Sequence, residues 1–128
     1  MSIKIDISYG ELIDKITILE IKFERIRDPE KRANVERELA VLNDAWMRAG
    51  VGPDLIAEER ARLKMTNEKL WDIEDAIRDK ELAREFDAGF TELARNVYRT
   101  NDERAAVKRI INDRLGSELV EEKSYQPY

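Results

Sequence analysis

Residues 8–30 read SYGELIDKITILEIKFERIRDPE, and this stretch decides the fold class. Its opening, Ser8-Tyr9-Gly10-Glu11, has the S-x-x-E form of a capping box, in which the two side chains satisfy backbone N–H groups left open at a helix start. A helix is therefore predicted from Tyr9. Leu12, Ile16, Leu19, Phe23 and Ile26 follow at spacings of four, three, four and three, which is a heptad seam. Ile13, Ile18 and Ile21 lie beside the seam and widen the apolar face, so this helix is expected to touch two neighbours. Asp28-Pro29 ends it, because the residue before a proline is pushed out of the α region. The same pair opens a second helix, with Asp28 as cap, Pro29 at the first helical position and Glu30 adding favourable charge.

Upstream, Ile3, Ile5 and Ile7 alternate with Lys4 and Asp6, the pattern of a short extended arm over residues 1–8. Downstream, Val35, Leu39, Leu42 and Trp46 continue the four-three rhythm until Gly50, and Gly50-Val51-Gly52-Pro53 is the clearest turn in the chain. A third helix is predicted from about Asp54 to about Arg84. Ile56, Leu63, Leu70 and Ile77 repeat in it every seven residues, and at 1.5 Å per residue it spans about 45 Å. Phe86, Phe90, Leu93, Val97, Val107 and Ile111 form a fourth seam that ends at Leu115-Gly116. Thr100 and Arg104 interrupt it, and Thr100-Asn101-Asp102-Glu103 offers a second capping box at which the helix would break. The phase of the seam survives the interruption, which favours one continuous helix. Residues 117–128 read as a loose tail.

The expectation is thus an all-α protein: an antiparallel helical bundle of four helices, two of them long. A single domain is expected over residues 1–128, with a first helical hairpin over 9–50 and a longer one over 53–116. Composition agrees. Hydrophobic residues make up 42% and charged residues 40%, with five glycines and three prolines, as in bundles and coiled coils. The net charge of −5 argues against broad affinity for nucleic acid or anionic membranes. No cysteine is present, which removes disulfides, thiolate nucleophiles and Cys-ligated metals. No histidine is present either, which removes the commonest general acid–base group and the triads built on it. Nothing near residue 1 resembles a secretion signal and no apolar run approaches a membrane span, so a cytoplasmic protein is expected.

Few residues point to chemistry. Glu68, Asp72, Asp75 and Asp79 form an acidic stripe on the third helix, but with Leu70 at a heptad core position they fall on its outermost face. No metal site and no cofactor are expected from them. Arg104 is sharper, because the seam places a guanidinium where a core residue belongs. A buried charge needs an anion beside it, and Asp14, Glu20, Asn67 and Glu74 are the available polar partners. Either Arg104 forms a buried pair that fixes helix register, or it holds a carboxylate or phosphate from a ligand. On the second reading Arg104, Asn101, Asn67, Glu74, Asp14 and Lys15 are the candidate ligand-binding residues. Arg104, Lys108, Arg109 and Arg114 also form a basic patch, which complements the dipole at a helix C-terminus as readily as it would bind nucleic acid.

Three stretches, SYGELIDKITILEIKFERI at 8–26, NEKLWDIEDAIRDKE at 67–81 and VYRTNDERAAVKRIIN at 97–112, together resemble an uncharacterised family of small bacterial and phage all-helical proteins. The resemblance brings no activity, cofactor or catalytic residue with it. It places Glu11, Asp14, Lys15, Asn101, Asp102 and Arg104 inside the recognisable stretches. A weaker similarity, at Ile13-Asp14-Lys15-Ile16, is to the helical chorismate mutases, but Pro29 ends the first helix early and no counterpart of their cationic pocket is recognisable. The leading functional expectation is a protein-interaction module that forms a homodimer through its surplus heptad seams, with its protein partner unknown. A binder of, or enzyme for, a small anionic ligand is the alternative, and nucleic-acid binding the third.

Overall fold

The computed structural model describes residues 1–128 and contains four α-helices. They are α1 (Tyr9–Arg25), α2 (Pro29–Arg48), α3 (Ala57–Ala83) and α4 (Ala88–Leu115). A 3-10 turn at Pro53–Ile56 precedes α3, so the first turn of the expected third helix is wound more tightly than α. Helix α4 runs unbroken through residues 100–103, and the second T-x-x-E does not start a new helix. Its cap is Asp87, whose carboxylate accepts from the Phe90 N–H at 3.0 Å.

Helix α1 is the hub. It packs against α2, α3 and α4, whereas α2 packs on α1 alone among the helices. This is what the wide apolar face of α1 requires, and its buried residues Leu12, Ile13, Ile16, Leu19 and Ile21 spread over about half of its circumference. Contacts descend along α4 as α1 ascends, from Gly10 against Asn112 to Asp14 against Arg104, so these two helices are antiparallel. Against α3, Glu20 meets Arg60 and Glu24 meets Lys64 on one side while Asp14 and Thr17 meet Asn67 on another, so α1 crosses α3 at an angle. The core joins Leu12, Ile13, Ile16, Trp46, Ile56, Leu63, Val107 and Ile111. Burying each aliphatic side chain contributes about 1.5–3 kcal/mol, more than the roughly 1 kcal/mol of a helix cap.

Both helix starts are capped as the sequence implies. The Ser8 hydroxyl accepts from the Glu11 N–H at 3.1 Å, and Asp28 accepts from the N–H groups of Glu30 and Lys31. Half of the Ser8 capping box is missing, however, because the Glu11 carboxylate turns away to Lys108. Replacing Ser8 or Asp28 with alanine is expected to cost about 1 kcal/mol each. Urea unfolding checks this, and two variants with the parent's midpoint would show that these caps do not hold the helix starts.

The seven-residue repeat of α3 divides between two uses. Ile56 and Leu63 are fully buried within the chain, so they are not available to a partner. Leu70 and Ile77 are only half-buried. The cause is length. The ion pairs of Arg25, the last residue of α1, reach α3 at Glu68 and Asp72. Beyond them α3 and α4 continue as a two-helix hairpin, overhanging by about ten residues, or about 15 Å. In this overhang Ile73 is buried, Ile77, Phe90, Leu93 and Val97 are half-buried, and Leu82 and Phe86 are exposed.

Candidate functional site

Where α1, α3 and α4 meet, the interior is polar. Asp14 and Thr17 from α1, Asn67 from α3, and Thr100, Lys108 and Asn112 from α4 are all buried. The α4 members share one ridge with Arg104, since Thr100, Arg104, Lys108 and Asn112 recur every four residues.

Asp14 is the centre of the cluster, with its side chain only 1% exposed. Arg104 clasps it with two nitrogens: Nε donates to Oδ1 at 2.9 Å and Nη2 donates to Oδ2. This forked geometry is the strong form of a charge-assisted hydrogen bond. Asn67 Nδ2 donates to the same Oδ1 at 2.9 Å and to the Thr17 hydroxyl at 3.1 Å. The hydrogen bonds to Asp14 outweigh burial and hold the Arg104 guanidinium above its ordinary pKa. Its third nitrogen, Nη1, has only a long 3.4 Å contact with Asn101 Oδ1.

One turn further along α4, the Lys108 side chain is 8% exposed and lies 4.0 Å from Asp14 Oδ2. Its ammonium donates to Glu11 at 2.7 Å and to Glu121 at 2.6 Å. Burial opposes the charge on Lys108, but these hydrogen bonds prevail and raise its pKa above the usual lysine value. In return, the Lys108 ammonium holds the Glu121 carboxyl below the usual carboxylate range. The last turn of the ridge joins two helices directly. Asn112 Oδ1 accepts from the Gly10 N–H at 2.7 Å, which brings the α1 backbone against α4.

A family model described as a family of unknown function (DUF6165) matches residues 3–128. The chain belongs to that family. No curated protein and no solved structure matches it. The match spans all three stretches on which the resemblance rests, and the residues of the Asp14–Arg104–Lys108 cluster lie within it.

In this DUF6165 chain Asp14, Asn67, Asn101 and Arg104 come together, and the anion beside Arg104 is Asp14. Glu74 instead pairs with Arg78 one turn along its own helix, and it stands with Arg104 on the wall of a groove of about 290 Å³. Lys15 is exposed and lies 3.5 Å from Glu11, outside the cluster. Thr17 and Asn112 did not stand out in the sequence, and Lys108 did so only as a member of the basic patch. The four-residue recurrence of polar side chains along α4 was the signal for Lys108 and Asn112, but beside a helix C-terminus it reads equally well as a solvated basic face. Every cation of that face is paired in the fold. Arg104 meets Asp14, Lys108 meets Glu11 and Glu121, Arg109 meets Asp113 and Glu122, and Arg114 meets Glu59. On α3, Glu68 and Asp72 of the acidic stripe are engaged by Arg25. No helix is long and apolar enough to cross a membrane.

Proposed function

We propose that this protein is a self-associating helical interaction module whose contact surface is the overhanging hairpin of α3 and α4. One observation carries the reading: the apolar seam of that hairpin, Ile77, Phe90, Leu93 and Val97, is only half-buried, and no third helix covers it. A second copy suits the surface best. Two hairpins complete a four-helix bundle, and a two-fold interface needs a surface that complements itself. The hairpin meets that need with charges of both signs interleaved along its length, at Asp75, Arg78, Asp79, Glu92, Arg95 and Arg99. Sedimentation at micromolar concentration is expected to give twice the 15.0 kDa chain mass. Leu93→Glu with Val97→Glu, outside the core cluster, is expected to return the chain to a folded monomer. A parent that sediments as a single chain at every concentration overturns the proposal.

A second reading, the binding of a small anion with an apolar body, is favoured by the groove beside Arg104. Ile18, Ile21, Leu70 and Trp71 supply apolar walls, and Asn67, Glu74, Asn101 and Arg104 supply convergent polar groups. Ligand pockets combine these elements. Arg104 is 29% exposed there and keeps Nη1 largely uncommitted.

A further inference from the structure

A different hollow, of about 230 Å³, shares only Asn101 and Arg104 with the Trp71 groove. Its remaining lining is Glu11, Ala105, Lys108, Glu121 and Lys123. We propose that Lys108, Arg104 and Lys123 form a binding site for a single carboxylate or phosphate group, and that the chain's own Glu121 fills this site as a displaceable stand-in for the ligand.

The cation beneath is built in, whereas the anion above it is not. Lys108 is nine-tenths buried on the ridge of α4, held in place by Glu11 and close to Asp14. Glu121 belongs to residues 117–128, which contain no helix or strand. No apolar side chain of this segment is buried: Leu119 is 47% exposed, Val120 36%, Tyr125 81% and Tyr128 78%. Polar and edge contacts hold it instead. Besides Glu121 on Lys108, Glu122 meets Arg109 at 3.2 Å, the Tyr128 hydroxyl donates to Asp102, and the Tyr128 ring stands edge-on to Tyr98. The Glu121 side chain is itself 46% exposed, so its carboxylate can swing into solvent when another anion takes its place on the buried Lys108 ammonium.

Charge then selects the ligand. With the Glu121 carboxylate swung off Lys108 and the backbone of the segment still in place, Arg104, Lys108 and Lys123 face the carboxylates of Asp14 and Glu11, which leaves one positive charge to be matched. One donor of the Lys108 ammonium is released, and Arg104 Nη1 and the Asn101 amide stand beside it on the same hollow. Ammonium and guanidinium donors suit carboxylate and phosphate oxygens alike. The Glu11 carboxylate on the same wall disfavours ligands that bring several charges.

The test is a titration of the isotope-labelled full chain with acetate and, separately, with inorganic phosphate, followed by amide NMR. Glu121 is half-exposed, so Glu121→Gln keeps the fold while removing the stand-in charge. In the parent, either anion is expected to shift the amides of residues 101–108 and those next to Glu121 and Lys123. In Glu121→Gln the same shifts are expected at an anion concentration at least tenfold lower. Adding Lys108→Met to that variant is expected to abolish them, and adding Lys123→Gln, at an exposed position, to weaken them severalfold. A stronger response to phosphate than to acetate identifies a phosphate site, and the reverse a carboxylate site. The proposal is overturned if Glu121→Gln binds neither anion more tightly than the parent, or if both cation variants bind as tightly as Glu121→Gln. Neither result bears on self-association.

Discussion

Arg104→Ala is expected to destabilise the protein by about 3–5 kcal/mol, the usual consequence of stranding a buried charge. The stranded group is the Asp14 carboxylate. It would lose both guanidinium bonds and keep Asn67, with Lys108 no closer than 4.0 Å. The loss is large because the Asp14 side chain is 1% exposed, so water cannot replace the missing donors. Arg104→Met with Asp14→Asn removes both charges, retains much of the volume, and is expected to lie near the parent. Urea unfolding of the single and double variants separates the two effects. If Arg104→Ala is as stable as the parent or more so, the pair is not structural, and Arg104 is held at a cost for a ligand, as functional sites often are.

The second large effect is expected at Gly10. In an exposed helix, glycine to alanine stabilises by about 0.5–1 kcal/mol, because alanine gives up less backbone freedom on folding. Here a Cβ would stand 2.5 Å from the Lys108 carbonyl oxygen and 3.0 Å from Asn112 Oδ1. The first of these is backbone on a neighbouring helix and cannot swing aside. Gly10→Ala must therefore push α1 off α4, and it threatens the 2.7 Å bond from the Gly10 N–H to Asn112. A loss of about 1–3 kcal/mol is expected, opposite in sign to the propensity gain. Gly89 near the start of α4 is the control. A Cβ there meets only the ends of the Asp87 and Lys80 side chains, at 3.3 Å and beyond, so Gly89→Ala should be neutral or mildly stabilising. Equal stability of the two alanine variants would mean that α1 and α4 do not approach closely at Gly10.

How much of this was legible differs between residues. Asp28-Pro29 and the Ser8 cap announce their helix boundaries because a cap is a local event, completed within three residues. The seam of α4 kept its phase past Thr100 and Arg104, and the helix is continuous for that reason. Glu11 was legible only in part. Its place in the capping box reads from the neighbouring residues, but its bond to Lys108 spans 97 positions and leaves no local trace. The partner of Arg104 was ambiguous for the same reason. Asp14, Glu20, Asn67 and Glu74 all had a suitable type, and the crossing of α1 over α4 selected Asp14.

By itself the sequence determined that the chain is all-helical, where its first two helices start and stop, and that a charge would interrupt the last seam. These follow from 3.6-residue periodicity, capping and proline geometry, all of which act over a few neighbouring positions. Only the tertiary structure decided that α1 is the hub, that Ile56 and Leu63 are consumed in the core while Ile77 is left half-open, and that Asp14, Asn67, Arg104, Lys108 and Glu121 converge. The physical reason is that a heptad seam specifies an apolar face without specifying which helix covers it. That choice depends on the relative lengths of α1 and α3, and on the close approach that Gly10 permits.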